Sequence, residues 1–218
     1  MKIRLTRSRV GAPCAAALLA LAAAWLAIPA AAQTLDLPTP AASYSDHDPA
    51  GAIYPDMDPS TPDLEATLNQ GVRRGRNNPV PLAQRGLFYT LQGQRSRGQR
   101  DYDRALASGE DGSAERRYAH WSYGWALHAS GDHAGALEHW RTSAQLHGGN
   151  PNWVPSTYAI ALWSLGAREP AVAFFDIAVR EEPALWETDA AVEATTRDWR
   201  PNDRLAILSI HNQWQSAR

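Results

Sequence analysis

Small and bulky residues recur along this chain at a fixed interval, and that recurrence limits the possible folds more than any other feature. "GDHAGALEHWRTSAQLHGG" begins at Gly131 and "GAREPAVAFFDIAVREEP" begins 35 residues later at Gly166. Gly131, Ala136 and Trp140 in the first match Gly166, Ala171 and Phe175 in the second. In the preceding "HWSYGWALHAS", Tyr123, Gly124 and Leu127 fall on one helical face, followed by a turn at Gly131-Asp132. Ala136, Trp140 and Ser143 then share a face of a second helix. Small residues let two helix axes approach, and the bulky neighbours fill the space beside the contact. A repeated pair buries the face its neighbour exposes, so the pattern predicts stacked helix pairs. Turn clusters at Asn77–Pro81, Gly109–Gly112, Gly148–Pro151 and Pro201–Asn202 punctuate it, and no stretch alternates for long like a strand. The expected class is all-α.

These residues resemble the tetratricopeptide repeat family, a helix-turn-helix unit with small residues at fixed positions. The third unit, about 152–185, carries the resemblance through Ala159, Gly166, Ala171, Phe175, Ala178 and the closing Pro183. The second, about 117–150, does so through Gly124, Gly131, Ala136, Trp140 and Ser143, with Gly148 where the family usually has proline. A first unit, about 79–112, matches with Gly86, Tyr89, Gly93, Gly98, Tyr102 and Ala105. Its second helix is thin in apolar residues, and Gly98 costs it about 1 kcal/mol relative to alanine. The resemblance implies a right-handed α-solenoid, here with extra N- and C-terminal helices. Two capping helices are expected over about 187–216, where Leu205, Leu208, Ile210 and Trp214 form an apolar stripe.

The first residues point to export. Lys2, Arg4, Arg7 and Arg9 precede an unbroken apolar run, and Ala30-Ala31-Ala32 precedes Gln33. This is the order of a secretory signal over 1–32, cut after Ala32. An uncleaved anchor is disfavoured because alanine is weakly apolar and Pro13 and Pro29 interrupt the stretch, whereas a span wants about 20 strongly apolar residues. The expected location is therefore periplasmic or secreted, without stable membrane insertion once the signal is removed. Cys14, the one cysteine, lies in the signal, leaving no disulfide, thiol nucleophile or cysteine metal site. Loss of the four signal cations takes the basic count from 21 to 17 against 23 acids, a charge of −6. An exported acidic chain is a poor nucleic-acid binder.

Residues 33–60 hold five prolines and no lysine or arginine, and read as an acidic, proline-rich disordered linker. Its "DHD" and "DMD" lack the glycine and terminal glutamate of a calcium loop, which favours a solvated tail. Order is expected from residue 61, with Thr61 as cap and Pro62 at the first helical position, so the helical domain spans 61–218.

His120, His128, His133 and His139 fall within twenty residues, but their spacing scatters them over two helices and a turn. That is unlike the one-face pair of a metal-binding helix, and packing or surface roles are favoured. No nucleophile elbow, phosphate loop or dinucleotide fingerprint is present, so neither an enzyme nor a cofactor is expected. Arg73, Arg74, Arg76, Arg85, Arg95, Arg97, Arg100 and Arg104 crowd the first unit. They read as a solvated face or as a contact for anionic groups, the chain's own acidic tail included.

Eight of the nine tryptophans lie between 121 and 214, which sets them apart from the rest of the chain. Trp121, Trp125 and His128 share one helix face, and Trp153, Ile160 and Trp163 stand in repeat phase with Tyr118, Trp125 and His128. The resemblance implies that such positions line a concave groove holding a peptide or partner helix. Two assignments stay open for the rings, groove anchors or packing against the next helix. The favoured function is a non-enzymatic protein–protein interaction module or adaptor of the cell envelope, its partner another envelope protein. A glycan- or cell-wall-binding module with stacked tryptophans is the alternative, and a hydrolase using His128 and His133 comes third. Mass spectrometry of protein from its native envelope should find Gln33 as the first residue; an intact, membrane-anchored chain from Met1 would refute the export assignment.

Overall fold

A computed structural model of the chain describes residues 36–52, 62–76 and 78–218. The signal over 1–32, the "DMD" at 56–58 and the cap at Thr61 lie outside the described residues. Within them the protein is all-helical: α1 (Pro49–Ala52), α2 (Leu64–Arg74), α3 (Pro79–Leu91), α4 (Arg95–Leu106), α5 (Ala114–Ala129), α6 (His133–His147), α7 (Val154–Ser164), α8 (Arg168–Glu181), α9 (Pro183–Trp186), α10 (Asp189–Thr195) and α11 (Pro201–Ser216). No helix among the described residues is long and apolar enough to cross a membrane.

Several helices start at a side-chain cap. Asn78 accepts from the Val80 amide to open α3, Ser113 from Arg116 to open α5 and Asp132 from Gly135 to open α6. Gly131 and Gly166 turn the chain between paired helices with φ of 87° and 81°, a region glycine enters without steric cost. Pro62 falls in a turn ahead of α2 and not at its first position; Asp63 flanks the helix in a left-handed conformation.

α3 packs with α4, α5 with α6 and α7 with α8, while α3 against α5 and α6 against α7 join the pairs. The small residues sit at the closest approaches. A Cβ on Gly124 would collide with the ring of Trp140, and one on Gly86 would lie 2.9 Å from Tyr102. Trp140 has no exposed surface, and its Nε1 donates to the Trp121 carbonyl at 2.9 Å. The thin second helix of the first pair has the same explanation. A Cβ on Gly98 would stand 2.7 Å from the Gly86 carbonyl oxygen, so its poor propensity secures a backbone-close crossing of α4 on α3. Beyond α8, α9 follows directly, and α11 lies against α7 and α8, burying Ile207, Ile210 and Trp214.

The linker reading of residues 33–60 needs correction over 36–52. This segment is a strap bound to the helices, not a solvated tail. Tyr44 is buried beside Phe174 (6.2 Å between ring centroids), and its amide donates to Glu181. Asp46 pairs through its backbone with the turn before α7, donating to Asn150 and accepting from Asn152. Asp48 and Ala50 are buried, and α1 packs on α5. Buried tyrosine and alanine supply apolar contact, and every buried polar group of the strap named here has a partner, which stabilises an extended segment without helical periodicity.

The crossings generate opposite expectations for two helical glycines. Gly124→Ala should lower stability by about 1–3 kcal/mol through overpacking against Trp140. Gly71→Ala, where the added Cβ meets only Pro81 at 3.6 Å, should raise it by about 0.5–1 kcal/mol through helix propensity. Denaturant midpoints of the two variants test both signs.

Candidate functional site

Four residues of α5, Arg117, Trp121, Trp125 and His128, follow one another at three- and four-residue steps and so share one face. Different parts of the chain meet this face along its length. At its start Arg117 holds the strap: its Nη2 lies 2.9 Å from Asp48 Oδ1, with Nε at 3.3 Å. Asp48 also accepts from the Ala50 amide at 3.0 Å and from Trp153 Nε1 at 3.2 Å. Burial pushes the Asp48 carboxyl upward, but the Arg117, Ala50 and Trp153 hydrogen bonds more than offset it and leave the carboxyl below its ordinary value. At the end of the face His128 Nε2 lies 3.2 Å from Asp203 of α11, which Arg200 grips at 2.7 Å. His133 shares the other side of His128, Nδ1 to Nδ1 at 3.0 Å.

Between these closed ends a cleft of about 430 Å³ remains open. Five tryptophans line it: Trp121 and Trp125 from α5, Trp153 at the start of α7, Trp186 of α9 and Trp199 before α11. Neighbouring rings meet edge to face. Trp121 and Trp125 stand at 74°, Trp125 and Trp199 at 70°, and Trp186 and Trp199 at 64°, with centroids 6.0–6.4 Å apart. Ser156, Thr157, Asn152 and Glu182 add polar groups, and His47 and Asp48 of the strap complete the lining. The indole N–H groups of Trp125 and Trp186 are buried with no hydrogen-bond partner among the described residues.

The seven residues expected to face a partner thus divide. Trp121, Trp125 and Trp153 come together in the cleft, the first buried and the other two half-buried. Tyr118 and Ile160 have no exposed surface and belong to the core, so neither can touch a partner in this structure. His128 is likewise buried, in its contacts with Asp203 and His133, and does not orient a ligand. Trp163 stands outside the cleft lining, half-buried under the Arg168 guanidinium 3.7 Å from its ring centroid. Trp186 and Trp199 stand outside the repeat phase, Trp186 just ahead of the expected cap and Trp199 within it. The concentration of tryptophan through residue 214 was the signal that included them.

The remaining clusters have internal partners. His120 and His139 meet Nδ1 to Nδ1 at 3.0 Å; burial, with His139 and Arg116 adding, pushes His120 from 6.5 down to about 4. Among the described residues no group of three or more histidines, cysteines and acids is placed to hold a metal ion. In the arginine-rich first pair, Arg85 forks onto Asp101 at 2.7 and 2.6 Å, and Arg97 covers the Tyr89 ring at 3.8 Å. The acidic strap reaches Arg117 and Arg141, not this cluster.

No protein-family model matches the chain, and no curated protein and no solved structure matches it either.

Asp48 is the strap's electrostatic fastening, and Arg117 is left buried without it. Asp48→Ala should cost about 3–5 kcal/mol and open residues 36–52 to protease. Because its folded value is depressed, the Asp48 contribution is complete above the ordinary carboxylate range and lost as pH falls through the lower folded value. Protection of the strap should therefore persist at about pH 5 and fail only in stronger acid. A decline between pH 6.5 and 4 belongs instead to His120, His133 and His139, which must charge against their burial, and should be reduced in His120→Asn.

Proposed function

We propose that this chain is a tetratricopeptide-like, right-handed stack of helix pairs that serves as a non-enzymatic interaction module of the cell envelope. It takes a peptide or helix of a partner protein into the tryptophan cleft. The observation that carries this reading is the cleft itself: five indoles around about 430 Å³, with a few polar groups among them. Concave, mostly apolar sites with sparse polar groups are where proteins bind ligands, and tryptophan is prominent among residues that dominate interface energy. The signal-like N-terminus supports an envelope location, and the recurrent glycine and alanine crossings support the repeat architecture.

Trp153 and Trp125 separate recognition from packing. Trp125 touches Trp140 at 4.9 Å between centroids as well as Trp121 and Trp199, so Trp125→Ala should cost about 3 kcal/mol of folding. Trp153 is half-buried at the cleft's edge, and Trp153→Ala should leave a folded protein of lowered stability. A photo-crosslinking residue at Ser156 should give a discrete protein adduct in envelope extract, diminished at least tenfold by Trp153→Ala, a loss of about 1.4 kcal/mol or more. An adduct whose yield ignores Trp153 would refute the cleft as the recognition site. Crosslinking to wall polymer in place of protein would replace this reading with a glycan-binding one.

A further inference from the structure

We infer that the group anchored in the tryptophan cleft is a basic side chain, lysine or arginine, presented by a peptide segment of the partner. The inference rests on the cleft being the recognition site and names what it recognises. Three observations converge on it. The ring planes turn by 64–74° from each tryptophan to the next, so the indoles form successive walls and not one flat platform. Trp121 and Trp186 are buried, so these walls offer a small group the ring surface of the half-buried Trp125, Trp153 and Trp199, and indole surface attracts a cation through the negative face of its quadrupole.

The second observation is charge. Among the described residues lining the cleft there is no arginine or lysine, although the mature chain has 17 arginines. The lining instead includes Asp48 and Glu182. Asp48 is neutralised by Arg117. Glu182 is half-buried, and no hydrogen bond or ion pair engages its carboxylate among the described residues, so one negative charge is left for an incoming group. A half-buried carboxylate beside desolvating indoles favours a cation more than an exposed one does, because water screens it less.

The third observation selects a peptide over a small free cation. Asn152 and Ser156, both half-buried, line the cleft with hydrogen-bond donors. A tetraalkylammonium ion offers no acceptor for these donors, whereas the carbonyls of a peptide backbone do. A peptide that places an arginine or lysine against the ring faces therefore matches faces, carboxylate and donors together. Arginine suits the faces best, since its planar guanidinium stacks as well as carrying charge.

A phage-displayed library of random decapeptides, panned on the mature protein in about 0.15 M salt, tests this directly. Peptides that bind the native protein but not Trp153→Ala should share an enriched lysine or arginine. A synthetic copy with that residue replaced by norleucine should bind at least tenfold more weakly. Glu182→Gln should weaken the basic peptide by a similar factor and leave the norleucine peptide unaffected; circular dichroism and melting show that the variant is folded. If Trp153→Ala does not fold, the Glu182→Gln comparison decides alone. Selected peptides that depend on Trp153 or Glu182 yet carry no enriched basic residue would overturn the inference and leave the cleft as a recognition site. Failure to recover any peptide dependent on either residue would overturn both.

Discussion

The contact between Trp140 and Gly124 fixes α6 against α5, and the arrangement of the site depends on it. Glycine at 124 is what admits an indole with no exposed surface, and the Trp140 N–H then closes on the Trp121 carbonyl. The same ring supports the site from behind. It touches Trp125 and His128, with centroids 4.9 and 5.9 Å away. The position of α5 therefore sets both the wall of the cleft and the histidine that meets α11. A close-packed interior transmits a change at such a crossing without absorbing it.

Along α5 the chain's own carboxylates claim the two ends of one helix face, Asp48 through Arg117 and Asp203 through His128. Between them Trp121 is buried, and the half-buried Trp125 with the cleft beside it is what remains open. Most of a long face is thus closed and a short stretch of it left. Both closures come from outside the repeated helix pairs, one from the strap and the other from α11.

The repeated crossings were legible in the sequence because their signals are local. Gly131 and Gly166 sit in turns, and Gly124, Ala136 and Ala171 lie where spacing alone places a helix contact. The strap was not legible, since nothing periodic marks Tyr44, Asp48 and Ala50. Their burial depends on Arg117, Trp153 and Phe174, which are remote in the chain. The site was half legible for the same reason. Helical phase brought Trp121 and Trp125 together, but it also promoted Tyr118 and Ile160, because phase names a face without saying what covers it. Trp186 and Trp199 reach the cleft only through the path of the chain after α8, which no spacing rule encodes.

The strap has one more consequence, for the order in which the molecule comes together. Each helix pair is a local structure, and local contacts form early because little chain entropy opposes them. The cleft is different: its lining combines His47 and Asp48 near one end of the described chain with Trp186 and Trp199 near the other. It is complete only when segments far apart in sequence have both found α5. A complete cleft is thus a property of the finished chain, and its lining distinguishes finished protein from every partly folded form.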